Sequence, residues 1–120
     1  MRIDGYFNAN DEPAIQLDLG TGAIDFLVDT GFAGGLIIPS SLVAGLPLEI
    51  EGFVEFRTAT TETFIAATYS LEIEWLGQRT KVAVAVTPDI SEALLGGSIL
   101  RNCLRTIDYH DSTVIITRRN

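Results

Sequence analysis

Residues 26–39 read FLVDTGFAGGLIIP. Phe26-Leu27-Val28 run straight into Asp29. After Thr30-Gly31-Phe32-Ala33 and two more glycines comes a second apolar run, Leu36-Ile37-Ile38. Both runs call for burial, yet a carboxylate stands between them. Burying a carboxylate is costly unless something hydrogen-bonds it. For the bare tripeptide Asp-Thr-Gly the simpler reading is a turn, because Asp and Gly both favour turns. The apolar strand ahead of Asp29 changes that reading, since it starts the turn inside the protein rather than on its rim. Gly31 lets the backbone come close and face its amide to the carboxylate. Thr30 supplies a hydroxyl for a local bond. A loop of this kind holds a carboxylate rigidly at the floor of a cleft.

The rest of the chain sets the frame for that loop. A length of 120 residues predicts one domain over residues 1–120. Hydrophobic residues at 47% and charged residues at 20% describe a folded protein, not a disordered one. No apolar stretch approaches the roughly 18 residues of a membrane span. The segment MRIDGYFNANDEP carries no apolar signal-peptide core, so the cytoplasm is the expected compartment. The formal net charge is −8, and the eight Lys and Arg form no stripe, which argues against a nucleic-acid groove. Cys103 is the single cysteine and His110 the single histidine, so neither a disulfide nor a zinc set is expected within the chain. No metal or cofactor is expected.

Strands dominate the pattern. Residues 14–19 alternate apolar and polar, and residues 23–28 read as a buried strand after a turn at Thr21-Gly22. Residues 53–58 and 69–75 alternate again. Leu76-Gly77-Gln78 turns the chain into the β-branched run 82–86. Residues 106–109 and 113–116 flank His110-Asp111-Ser112 as a hairpin. Short helical turns are expected after Pro39, capped by Ser40 or Ser41, and from Ser98 to Asn102. This density of strands predicts an all-β barrel or sandwich. Glu49, Glu51 and Glu55 read as a solvated strand edge. Trp75 and Cys103 read as packing residues. His110 reads as a solvated turn residue. Gly96-Gly97-Ser98-Ile99-Leu100 lacks the second glycine of a nucleophile elbow, so a Ser-His-Asp triad is not supported. Gly20-Thr21-Gly22 has no following Lys-Ser/Thr, and a turn is enough to explain it.

A second element answers the Asp29 loop. Residues 93–97 read ALLGG, and a short helix is expected after them. An apolar-apolar-Asp-Thr-Gly loop near residue 30, a strand-rich middle, and Leu-Leu-Gly before a C-terminal helix resemble the retropepsin-like aspartic proteases. Residues 26–39 and 93–109 are most similar to the single-domain microbial members, and the ordered likeness spans roughly residues 13–117. The resemblance implies an all-β fold: a closed acid-protease-like barrel with a flap hairpin and one short C-terminal helix. It implies a homodimer, since each chain has one Asp-Thr-Gly, with the site on the two-fold axis. Asp29 and its symmetry mate would be the catalytic pair. Thr30 would bond across the interface, and Gly31 would lie against the dyad. Leu94, Leu95 and Gly96 would support the loop from behind. The flap would cover about residues 56–66, with Thr58, Ala59, Thr60, Thr61 and Glu62 over a polypeptide substrate. Two such carboxylates share one proton, a general property of aspartic-protease pairs. The charged one activates water and the neutral one polarises the scissile carbonyl. Phe32 departs from the Ala or Ser that follows Asp-Thr-Gly in retroviral enzymes. Gly97-Ser98 stand where those enzymes have Arg-Asn, and Arg101-Asn102 come later. The alternative reading keeps the fold and drops the catalysis, leaving a dimeric peptide- or protein-binding module. A β-barrel small-ligand binder would leave the pairing of the two elements unexplained.

Overall fold

The computed structural model of the chain describes residues 1–57, 60–88 and 92–119, and the backbone alone at residues 56 and 64. The strands follow the alternation of the sequence. In β3 (Pro13–Asp18) Ile15 and Leu17 point inward while Gln16 and Asp18 face solvent. In β4 (Ala23–Val28) Ile24, Phe26 and Val28 are buried while Ala23 and Asp25 are exposed. This is the period-two signature of a sheet with one face on the core. β5 (Leu36–Pro39) is buried along its whole length, because it lies inside the sheet. Before β3 come β1 (Arg2–Asp4) and β2 (Tyr6–Phe7). After β5 come β6 (Glu49–Arg57), β7 (Thr63–Trp75), β8 (Gln78–Thr87), β9 (Leu94–Leu95), α1 (Gly97–Leu100), β10 (Cys103–Asp108) and β11 (Thr113–Arg118).

The strands hydrogen-bond as two sheets. One has the order β1-β11-β10 and the other β2-β3-β4-β9-β5-β8-β7-β6. Among the described residues both ladders have free ends, so the expected closed barrel is replaced by two open sheets over one core. The chain changes sheet at Gly5, whose amide donates to the Val114 carbonyl at 2.7 Å. β1 therefore pairs with β11 and β2 with β3, and one continuous ladder is not formed. Val114 and Ile116 of the small sheet pack into the same cluster as Ile15, Phe26, Leu36 and Leu95 of the large one. Phe26 is fully buried there. Burial of such a side chain stabilises by about 1.5–3 kcal/mol.

The connections have local causes. β7 and β8 are joined by Leu76 and Gly77 alone, with φ of 49° and 80°. Two positive φ values in a two-residue loop match the twist of the flanking strands. Leu76 tolerates this conformation because its side chain is buried. β10 and β11 meet at a turn where the Asp108 Oδ1 accepts from the amides of His110 at 2.9 Å and Asp111 at 3.1 Å. His110 is exposed in that turn. Glu49, Glu51 and Glu55 are exposed along β6, which ends the large sheet, and charge there discourages edge pairing. Trp75 is buried, and Cys103 is half-buried against the core. Two expectations shift. The turn after Pro39 is a 3-10 helix, Ser40–Leu42, with Pro39 and not a serine at its cap position. α1 ends at Leu100, so Arg101 and Asn102 lie in the turn that follows. No helix of the described residues is long and apolar enough to cross a membrane.

Candidate active site

β4 delivers Asp29 into a fixed frame. β4 runs parallel to the two-residue β9, pairing Leu27 with Leu94 and Val28 with Leu95. The Leu27 amide donates to the Ala93 carbonyl and the Asp29 amide to the Leu95 carbonyl, both at 2.9 Å. Beyond Asp29 the chain turns back on itself. The Gly31 amide donates to Asp29 Oδ1 at 3.0 Å, and the Phe32 amide donates to the Asp29 carbonyl at 3.2 Å. The backbone of Asp29 is thus held on both sides, and its carboxylate is oriented by the Gly31 amide. It is half-buried, and Thr30 and Gly31 beside it are exposed.

A second loop is bonded to the first. Gly96 donates to the Gly35 carbonyl at 2.7 Å, Gly97 to Phe32 at 2.7 Å, and Ser98 to Gly34 at 3.1 Å. The structure therefore brings Leu94, Leu95 and Gly96 together with Asp29, Thr30 and Gly31. The approach is too close for a larger residue. A Cβ on Gly96 would stand 2.4 Å from the Gly34 oxygen and 2.8 Å from the Phe32 oxygen. Both are backbone atoms, which cannot swing away as a side chain can.

Phe32 has a part that the sequence did not reveal. Its ring lies over Gly34 and Gly96, where added Cβ atoms would each meet it at 2.5 Å, and its carbonyl holds Gly97. It also walls an apolar cavity of about 400 Å³ with Gly35, Leu36, Val54, Thr68 and Ala83. The only hint of this in the sequence is the set of glycines at 34, 35 and 96, whose missing side chains leave room for an aromatic ring.

Thr60, Thr61 and Glu62 belong to the turn joining β6 and β7, and all three are exposed. Thr58 and Ala59 lie outside the described residues. Val54 and Thr68, lower on the hairpin, share the apolar cavity with the arm that follows Asp29. Among the described residues the tip does not line that cavity.

A second acid on β4 is engaged elsewhere. Asp25 accepts hydrogen bonds from the Tyr6 hydroxyl and, at 2.9 Å, from Gln16 Nε2. The Tyr6 bond, then the Gln16 bond, hold its carboxyl below the usual range. Burial first, then the bond to Asp25 and its charge, push the Tyr6 hydroxyl up to about 12. Among the described residues no group of three or more His, Cys, Asp or Glu is placed to hold a metal.

The fold has known counterparts. The chain is similar to the crystal structure of a retropepsin-like aspartic protease from Rickettsia conorii. That match has 23% identity and a TM-score of 0.68, covering 97% of this chain and 90% of that one. It is also similar to the structure of the foamy viral protease-reverse transcriptase in complex with an RNA/DNA hybrid. There the identity is 19% and the TM-score 0.55, over 73% of this chain and 11% of that one. No family model matches the sequence, and neither does any curated protein. The mostly-β architecture with one short helix is the retropepsin-like aspartic-protease fold.

Proposed function

We propose that two copies of this chain form an aspartic endopeptidase. Each copy, residues 1–120 as one domain, contributes Asp29 to a pair on the two-fold axis, and the dimer works on polypeptides in the cytoplasm. The observation that carries this reading is the placement of Asp29. Its carboxylate is held by the Gly31 amide, and its backbone is held by Leu95, on a loop bonded to residues 96–98. A structural turn aspartate needs none of that second loop. The likeness to a retropepsin-like aspartic protease over almost the whole chain supports the same reading.

In the proposed mechanism the paired carboxylates hold one proton between them, because like charges about 3 Å apart cannot both ionise. The charged member removes a proton from water. The neutral member donates to the carbonyl oxygen as the water attacks, and a tetrahedral diol results. Thr30 bonds across the interface, and Gly31 lies against the partner loop. The apolar cavity beside Phe32 takes an apolar side chain of the substrate. The β6–β7 tip, residues 58–62, covers the bound strand.

The test is Asp29→Asn, assayed on an unfolded protein substrate alongside sedimentation of both forms. The wild type should sediment as a dimer and cleave, with a rate that rises and falls with pH. The variant should stay dimeric and lose about 10²–10⁴-fold in rate. Cleavage that survives in a folded, dimeric Asp29→Asn protein rejects Asp29 as the catalyst. A wild type that remains monomeric at high concentration rejects the pair. A dimer that binds peptides without cutting them returns the binding-module reading.

A further inference from the structure

A second cavity, of about 330 Å³, lies between β8, β11 and the turn after α1. It shares only Ala83 with the cavity beside Phe32. Its walls include Lys81, Arg101 and Arg118, and among the described residues no Asp or Glu lines it. The chain as a whole has 16 acidic residues and eight Lys and Arg. A cavity that gathers three of those eight cations and none of the acids departs sharply from the composition around it.

The other polar groups in the walls point the same way. Trp75 lines the cavity and is 3% exposed, and its indole Nε1 is buried with no hydrogen-bond partner among the described residues. An indole N–H can only donate, as can the guanidinium and ammonium groups. Ser98 and Asn102 add a hydroxyl and an amide. Arg118 spends one N–H on the Trp75 carbonyl at 2.9 Å, which fixes the guanidinium in place and leaves it further donors. Lys81 meets Glu51 at 3.7 Å, but both are largely exposed, and such surface pairs are weak. Arg101 is exposed at the mouth.

We infer that this cavity is a binding site for a small oxyanion, a phosphate or carboxylate group, held by Arg101, Arg118 and Lys81, with the Trp75 side chain in its wall. Arginine forks match the geometry of both groups, and a volume of this size admits a small solute. Asp29 does not line this site.

The protein provides its own probe, because Trp75 is its single tryptophan. The full chain, labelled with nitrogen-15, gives one indole cross-peak. Inorganic phosphate and succinate are titrated in parallel, with sodium chloride at matched ionic strength as the control. The indole peak should shift and saturate with at least one of the two oxyanions. The tighter of them identifies which oxyanion chemistry the site prefers. In Arg101→Gln, whose side chain supports no internal hydrogen bond among the described residues, the midpoint should rise about tenfold, as for loss of one charged bond. Lys81→Gln should act in the same direction. An indole peak unmoved by either anion up to about 50 mM, a weakness beyond any millimolar site, overturns the inference. So does an equal response to chloride, or an unchanged midpoint in both variants whose folded spectra match the wild type.

Discussion

The aspartate loop and the β6–β7 hairpin are held in opposite ways. The loop is short and tied from several directions. Leu27 and Asp29 bond to residues 93 and 95, and residues 32, 34 and 35 bond to residues 96–98, all through backbone atoms. The hairpin is long and supported along only part of its length. β7 pairs with β8 from Ala67 to Trp75, but from Thr63 to Ala66 its only ladder partner among the described residues is β6. A two-stranded ribbon is marginally stable in water. One segment is thus tied at many points, and among the described residues the other is held at its far end by one ladder alone. For the proposed enzyme, that contrast fits a rigid floor and a cover that moves.

The comparison breaks first at Gly96. Gly96→Ala drives a Cβ into two backbone oxygens, so it should cost about 2–3 kcal/mol of stability and remove activity. Gly31→Ala is its control. There the Cβ would stand 3.4 Å from Asp29 Oδ1, an ordinary contact, so the folded monomer should be nearly unchanged while dimerisation and cleavage fall. Denaturant melts of the two variants, set beside their sedimentation, check both statements. Equal destabilisation by the two changes would mean that the loops do not have the tight contact described here.

At the hairpin the expected effect is smaller and of opposite sign. Thr61 has φ of 65°, which a β-branched residue adopts at a cost. Thr61→Gly relieves that strain but gives the unfolded chain more freedom, so the net gain should be about 0.5–1 kcal/mol. Thermal melts measure it. A clear loss of stability would show that the tip is held by contacts its exposure does not suggest.

The smallest effect concerns side-chain bonds. If backbone bonds hold the aspartate loop, the pair between Tyr6 of β2 and Asp25 of β4 should govern only the response to pH. The Tyr6 hydroxyl is raised from 10.0 to about 12, so its contribution is complete below pH 10.0 and lost as pH rises towards about 12. Asp25 is lowered, so its contribution is present at neutral pH and lost as acid titrates the folded form. Tyr6→Phe should flatten both ends of the stability–pH curve and leave cleavage at neutral pH unaffected. Solvent screening keeps the change small, because Asp25 is exposed. A large loss of activity would tie this pair to Asp29 after all.

How legible each part was depended on how local its cause is. The alternation of residues 14–19 and 23–28 located β3 and β4, and the glutamates marked β6 as an edge, because each signal is carried by neighbouring residues. β1 and β2 gave no such signal, since strands of three and two residues are too short to show a period. The two-residue β9 reads from sequence as no more than a buried strand ending at glycine, with no hint of its partners. It exists only because β4 and β5 flank it. Closure of the barrel was inferred from resemblance, and the turn at Gly5 that divides the sheets could not be read from one glycine. At the site, Asp29 and the Leu94-Leu95-Gly96 run stood out by residue type. Phe32 did not, because its task is to cover glycines distant in sequence, and only the folded backbone shows that they lie together.

The pairing of β4 with β9 has a consequence for the birth of the protein. Hairpins such as β3–β4, β7–β8 and β10–β11 join neighbours in sequence, and their ends meet after a short search. The parallel pairs of β4 with β9 and of β5 with β8 close long stretches of chain, and such closures come late in folding because of their entropy. During synthesis the aspartate loop leaves the ribosome before residues 93–95. The carbonyls of Ala93 and Leu95 that hold the Leu27 and Asp29 amides are made later. A chain still short of residue 93 therefore carries Asp29 without the backbone bonds that frame it.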